Sequence, residues 1–200
     1  MLVRTAGRLL VIIICGIAVF SCNRSDKSGA IENNRNSGTG NGSVVMPSAD
    51  GPEVYEKMLQ TDSLNTDVRL RLAAYFYSLK DLEKAMFHNL IVNRIDSNNM
   101  AAVFNLGNIY YDLQQNEQAI RYYERFLKFD HGNCNVRCDL ATCYMRLNDN
   151  ETAISLLQEN IRINQSHPQS HYNLSVFLKE KGKLKEAEKE MAIYNSLVSR

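Results

Sequence analysis

The sequence of 200 residues has almost no net charge, its formal value being +1 at pH 7. Proteins that bind nucleic acid cluster lysine and arginine to neutralise phosphates, so this balance argues against a nucleic-acid partner. The sequence also lacks a nucleophile elbow, a phosphate-binding glycine loop and a dinucleotide fingerprint. These absences predict that the protein is not an enzyme, and that it takes neither a cofactor nor a small-molecule substrate.

A second ligand pair of the kind found in zinc sites is missing as well. One short stretch holds His131, Cys134, Cys138 and Cys143. Structural zinc sites usually combine two closely spaced pairs, and this stretch has only one. His167 and His171 are four residues apart, but no nearby acid completes a metal set. We therefore expect no metal site, and the cysteines are either buried apolar thiols or include a disulfide between Cys134 and Cys138.

The N-terminus has the features of a targeting segment. Arg4 and Arg8 precede an apolar run over residues 9–20, which is short for a spanning helix of about 20 residues. The run ends in "VFSC", which resembles the bacterial lipobox, where a small residue precedes an invariant cysteine. The resemblance implies a lipoprotein signal peptide over residues 1–21 and a lipid on Cys22. The alternative is an uncleaved N-terminal anchor helix.

This lipobox resemblance also implies an address in the bacterial cell envelope, at the outer membrane or its periplasmic face. Residues 22–51 follow as the lipidated cysteine and a tether. Five glycines, five serines and five asparagines lie within residues 23–51. Such a composition buries too little apolar area to offset the entropy of ordering. We predict a flexible leash with a reach of roughly 30 Å.

The rest of the chain repeats every 34 residues without gaps. The repeats are predicted over residues 66–99, 100–133, 134–167 and 168–200. Their seventh positions are Leu72, Leu106, Leu140 and Leu174, and their twentieth are Ala85, Ala119, Ala153 and Ala187. The spacing of small and large residues predicts two helices per repeat that approach closely. Asn65, Asn99 and Asn133 are predicted N-caps, and Pro168 suits a first helical turn.

The segment "VFNLGNIYYDLQQNEQAIRYYERFLKFD", residues 103–130, resembles a tetratricopeptide repeat. The resemblance extends over residues 66–200 and implies an all-α, right-handed α-solenoid of about four and a half helix–turn–helix repeats. Residues 52–65 match only the second half of a repeat, and we interpret them as an N-terminal capping helix. The sequence departs from the family at the fourth position, where an aromatic residue is usual. That position holds Arg69, Val103, Arg137 and His171.

In this family the first helices line a concave groove that binds proteins. The candidate groove residues are Leu70, Tyr77, Phe104, Asn108, Tyr111, Met145 and Tyr172. The large side chains among them lie at positions that core packing does not require, and clustered apolar groups usually mark a binding site. The alternative is that they only thicken the solenoid or touch the tether. A shallow groove favours an extended segment or a helix of a protein partner, whose identity the sequence does not give.

Two functions follow from these observations. The first is a membrane-tethered protein-interaction module or scaffold of the bacterial cell envelope. The second is a structural or assembly factor that acts through self-association or as a subunit of a larger envelope complex. Self-association would use Tyr194, Leu197 and Val198 of the last helix.

Overall fold

The computed structural model describes residues 51–199, and within that range it contains nine α-helices. The helices are α1 (Pro52–Thr61), α2 (Thr66–Ser78), α3 (Leu82–Ile95), α4 (Met100–Asp112), α5 (Asn116–Phe129), α6 (Cys134–Arg146), α7 (Asn150–Ile163), α8 (Pro168–Glu180) and α9 (Leu184–Val198). After α1 they form four antiparallel pairs. We call α2, α4, α6 and α8 the first helices of repeats 1 to 4, and α3, α5, α7 and α9 the second helices.

The first helices begin at residues 66, 100, 134 and 168, each 34 residues after the one before. Asparagine side chains cap three of them, because Asn65, Asn99 and Asn133 accept hydrogen bonds from the backbone N–H three residues ahead. Pro168 occupies the first turn of α8, where a missing N–H costs nothing. All four predicted helix starts are confirmed.

Close contact within each pair depends on small residues at the eighth and twentieth positions. The alanines at the twentieth position are almost completely buried in all four repeats. A Cβ atom added to Gly107, at the eighth position of repeat 2, would lie 2.7 Å from ring carbons of Tyr123. Repeat 2 therefore needs glycine at this site, since α4 and α5 leave no room for a methyl group.

The turn inside each repeat contains one residue with left-handed backbone geometry. The four residues and their φ angles are Lys80 at 62°, Gln114 at 57°, Asn148 at 64° and Gly182 at 73°. Glycine adopts this geometry without strain and asparagine tolerates it, whereas lysine and glutamine do not favour it. Repeats 1 and 2 thus hold their turns at a small energetic cost.

The loops between repeats share a hydrogen bond from a cationic or imidazole side chain to one backbone carbonyl. The donors and acceptors are Arg69 to Ser63, Arg125 to Ser97, Arg137 to His131 and His171 to Gln165, at 2.9, 2.5, 2.6 and 3.0 Å. Three donors occupy the fourth position of a repeat, where the family usually has an aromatic side chain. In repeat 2 this position is Val103, and Arg125 from α5 supplies the donor instead.

The helix α1 packs on α2 as half of a repeat, with Tyr55 and Leu59 in the same apolar cluster as Leu72 and Phe76. No helix within residues 51–199 is both long and apolar enough to cross a membrane. The predicted signal peptide, Cys22 and all but the last residue of the predicted tether lie outside the described residues.

Candidate protein-binding groove

The first helices of neighbouring repeats lie side by side. α4 contacts α2, and α8 contacts α6. These helices carry all seven candidate groove residues that the sequence indicates. The structure divides the seven into two groups according to exposure.

Tyr77, Phe104 and Tyr172 are half-buried and remain accessible on the first helices of repeats 1, 2 and 4. The other four are buried: the exposed fractions are 6% for Leu70, 6% for Asn108, 3% for Tyr111 and 6% for Met145. The expectation that core packing does not require the large side chains is therefore wrong for Leu70, Tyr111 and Met145. Tyr77 and Phe104 also pack against core clusters, although part of each ring stays accessible.

The two buried aliphatic side chains fill space between repeats. Leu70 of repeat 1 belongs to a small cluster with Val92 and Ala102, the latter from α4 of the next repeat. Met145 of repeat 3 lies in a cluster that includes Leu178 of α8. Both residues stabilise the stacking of successive repeats, because each buries apolar surface against the following one.

Asn108 and Tyr111 both face α5 of their own repeat. The Tyr123 hydroxyl donates a hydrogen bond to Asn108 Oδ1 at 3.1 Å, and both side chains are buried. The rings of Tyr111 and Tyr123 are 6.2 Å apart. The interpretation of Asn108 as a surface residue of the groove is therefore wrong, since its side chain is buried against Tyr123.

At the C-terminal ends of the first helices, a tyrosine of one repeat touches a charged residue of the next. The Tyr77 hydroxyl donates to Asp112 Oδ2. The Arg146 guanidinium lies 4.4 Å from the centre of the Tyr111 ring, and its Nη1 donates to the Tyr111 carbonyl at 3.5 Å. Asp112 and Arg146 are not among the seven candidate groove residues, although the thirteenth repeat position that they occupy belongs to the predicted groove. The available signal was that both stand at the same repeat position with opposite charge.

Two of the accessible rings are supported from behind by second helices. The ring of Phe104 lies 5.1 Å from that of Phe126, and the ring of Tyr172 lies 5.2 Å from that of Tyr194. Such contacts hold a ring in place, so little conformational entropy remains to be lost when a partner binds. Of the residues predicted for self-association, Tyr194 and Leu197 are half-buried and Val198 is 53% exposed.

Beneath the groove, repeat 3 has a buried polar network. Arg137 Nη1 donates to Asn160 Oδ1 at 3.0 Å. Asn160 Nδ2 lies 2.8 Å from the Cys134 carbonyl and 3.3 Å from Cys138 Sγ. The Cys138 thiol in turn is 3.5 Å from Ser170 Oγ of repeat 4. The network joins two repeats through side chains that are all buried.

Cys134 and Cys138 are buried thiols that form no disulfide with each other. The prediction of buried apolar thiols is therefore confirmed, and the alternative prediction of a disulfide between them is wrong. Burial raises the pKa of the Cys143 thiol to about 12, and it also raises the pKa of Cys134. Thiols held protonated in this way are poor nucleophiles and poor metal ligands. Within residues 51–199 no group of three or more His, Cys, Asp or Glu side chains is placed to hold a metal ion.

Repeat 1 buries an imidazole between its two helices. His88 stacks on Phe76 with ring centres 5.9 Å apart and is 9% exposed. No described residue accepts or donates a hydrogen bond at its Nδ1. Burial, together with the nearby positive charge of Arg69, lowers the pKa of His88 to about 4. The ring is therefore neutral at physiological pH.

Comparisons with known proteins agree with this architecture. The family model described as "Anaphase-promoting complex, cyclosome, subunit 3" matches residues 114–192. The crystal structure of MamA is similar at 18% identity with a TM-score of 0.70, over 74% of this chain and 86% of that one. MamA 41-end from Desulfovibrio magneticus RS-1 is similar at 14% identity with a TM-score of 0.71, over 74% and 84%. No curated protein sequence matches the chain. The expected all-α tetratricopeptide solenoid is confirmed.

Proposed function

We propose that the protein is a membrane-tethered interaction module of the bacterial cell envelope, and that its first helices bind a segment of a protein partner. The observation that carries the proposal is the set of half-buried rings Tyr77, Phe104 and Tyr172 on the first helices of repeats 1, 2 and 4. Aromatic side chains dominate protein interfaces because each buries a large area at a low cost in conformational entropy. The fold and its solved relatives support a scaffold of this kind.

The surface around these rings favours a polypeptide over a small molecule. Asp112, Arg146, Lys179 and Glu180 are exposed at the C-terminal ends of the first helices, so charges of both signs border the rings. An enclosed apolar pocket is the usual site for a small ligand, whereas an open strip suits an extended chain or a helix. Mixed charge gives such a partner orientation more than affinity.

To test this, Tyr77 and Tyr172 are both replaced with alanine in the full chain. Partners are then crosslinked to the protein in the native membrane and recovered with it. We expect the yield of the main partner to fall at least tenfold, since interface aromatics contribute about 1–2 kcal/mol or more each and about 1.4 kcal/mol corresponds to a factor of ten. Phe129→Ala is the matched control, because this aromatic residue is 47% exposed on a second helix. Equal recovery by the double variant and the control, with helical content unchanged, would show that the partner binds elsewhere.

The tether and the lipid are the second part of the proposal. A lipid on Cys22 and a leash of 29 residues would let the folded body search near the membrane surface. Replacing Cys22 with alanine should abolish metabolic labelling with fatty acid and move the protein to the aqueous fraction. A Cys22→Ala chain that keeps both its label and its membrane fraction contradicts the anchor without touching the groove.

A further inference from the structure

The second helix of repeat 1 is apolar on two faces. Its inner face is buried, with Ala85, His88, Asn89 and Val92 packed inside the solenoid. Its outer face bears Phe87, which is 58% exposed, Leu90, which is 36% exposed, and the half-buried Ile91. A helix in a globular protein normally keeps charged or polar residues on the face opposite the core. The Phe87 ring touches the His88 ring edge-on at 5.2 Å between centres, and the outer face of α3 still exposes apolar area to solvent.

The other repeats supply an internal comparison for this face. At the positions of Phe87, Leu90 and Ile91, α5 carries Arg121, Glu124 and Arg125, and α7 carries Ser155, Gln158 and Glu159. The backbone is the same in each repeat, so the solenoid itself does not require apolar residues there. The helix α9 carries Lys189, Ala192 and Ile193 at these positions, so a face with three large apolar side chains is specific to repeat 1 and calls for an occupant.

Charged residues bound the apolar patch at both ends. Glu83 lies in the first turn of α3 and Arg94 in its last turn, and both are exposed. Neither takes part in an ion pair with another residue of the described range. The residues at 83, 87, 90, 91 and 94 follow helical spacing and form one stripe, which we call the α3 stripe. It runs from an acid through three apolar residues to a base.

We propose that the α3 stripe is a dimer contact, in which α3 of one copy packs antiparallel on α3 of a second copy of this chain. In a twofold arrangement, residue i faces residue j and residue j faces residue i. In this arrangement each residue faces the residue of the other copy for which the two numbers add up to 177. Phe87 therefore lies against Leu90 of the other copy. The same pairing sets Glu83 against Arg94 at both ends, so the stripe is complementary to itself in charge as well as in apolarity.

The patch is small, so the dimer is of the weak class. Stable interfaces bury about 1,200–2,000 Å² in total, which one helix face on each side does not reach. The dimer rests on the lipid anchor proposed above, because two copies confined to one membrane meet at a raised effective concentration, which favours contacts too weak to persist in dilute solution. This contact involves the outer face of repeat 1 and leaves the groove on the first helices open.

The experiment measures energy transfer between full-length copies labelled at the C-terminus and reconstituted in zwitterionic vesicles. Wild type should show transfer above the level that random crowding produces. The double variant F87E/L90E should fall to that level, whereas F129E, an exposed apolar residue on α5, should behave like wild type.

A charge exchange then tests the geometry. E83R alone and R94E alone each place like charges together at both ends, and each should weaken dimerisation about tenfold. The combined E83R/R94E variant restores opposite charges and should return to within about twofold of wild type, although it opposes the helix dipole twice. Failure of the exchange to restore transfer overturns the antiparallel pairing. Equal transfer by wild type and F87E/L90E overturns the dimer, and assigns the stripe to a lipid surface or another protein.

Discussion

Repeats 2 and 3 build the same pair of helices around different interiors. Repeat 2 places Val103, Phe104 and Phe126 where repeat 3 places Arg137, Cys138 and Asn160. In repeat 2 the rings of Phe104 and Phe126 lie 5.1 Å apart, and in repeat 3 Arg137 donates to Asn160 at 3.0 Å. Asn160 is completely buried, and Phe126 is 1% exposed. An aromatic pair and a hydrogen-bonded polar pair thus fill equivalent space.

The difference teaches that few positions specify this backbone. Both repeats share the leucine at the seventh position, a small residue at the eighth, the alanine at the twentieth and the asparagine cap. Those residues set how closely the two helices approach and where they begin. The remaining interior positions accept either chemistry, provided that buried polar groups are satisfied.

The largest effect is expected from overpacking the aromatic repeat. Gly107→Leu inserts a side chain where even a Cβ atom would lie 2.7 Å from Tyr123. We expect the free energy of unfolding to fall by about 3 kcal/mol or more, and Gly107→Ala to lie between this variant and wild type. Urea denaturation followed by circular dichroism measures all three. Equal midpoints would mean that α4 and α5 are not in close contact at this site.

The second-largest loss of stability is expected in repeat 3, whose interior is polar. Asn160→Ala leaves the Arg137 guanidinium and the Cys134 carbonyl without their buried partner, and should lower the free energy of unfolding by about 3 kcal/mol. R137M/N160L removes both sides of the interaction and should lose only about 1 kcal/mol. If the double variant is as unstable as Asn160→Ala, apolar packing does not substitute for the network, and the two interiors are less equivalent than we infer.

Repeat 1 offers a third interior, in which an imidazole is buried without a partner at Nδ1 among the described residues. The unfolded chain binds this proton near pH 6.5, but burial lowers the pKa of His88 to about 4 in the folded protein. Protons therefore favour the unfolded state between these values. The contribution of neutral His88 to the free energy of unfolding is fully present above pH 6.5 and is lost progressively as the pH falls to 4. His88→Phe should flatten that part of the curve of unfolding free energy against pH, and an unchanged slope would contradict the neutral assignment.

The smallest effect should come from the turns. Gln114→Gly replaces a residue whose φ is 57° with one that adopts this geometry freely, and should stabilise repeat 2 by about 0.5–1 kcal/mol. The corresponding turn of repeat 4 already has glycine at Gly182, with φ 73°, so Gly182→Gln should cost a similar amount. Thermal unfolding of both variants tests this; shifts in the same direction would refute it.

The sequence was sufficient for the repeat length, the helix starts and the fold, because leucine, alanine and asparagine recur at fixed positions. It was not sufficient for the groove. Asn108 and Tyr111 have the spacing of groove residues, but Tyr123 on the second helix is large enough to reach both and bury them. That outcome depends on how deep one tyrosine lies between two helices, which spacing along the chain does not determine.

The polar interior of repeat 3 escaped prediction for a related reason. Arg137 is visible as a departure from the family pattern, but its partner Asn160 is 23 residues away and belongs to a different helix. Only the paired helices bring the guanidinium and the amide within reach of each other. A rule that treats each position separately expects exposed polar residues at both sites.

The charged residues at the C-terminal ends of the first helices affect how a peptide could move along the groove. Asp112 accepts a hydrogen bond from Tyr77 of the repeat before it. Arg146 lies over the ring of Tyr111, which also belongs to the repeat before it. A peptide that moved from one repeat to the next would pass from the half-buried Tyr77 beside an acid to the buried Tyr111 beside a base. If the repeats were identical, the peptide would bind equally well to each of them, and moving by one repeat would change the binding free energy very little. The change of sign would instead make a charged peptide prefer one repeat over the next.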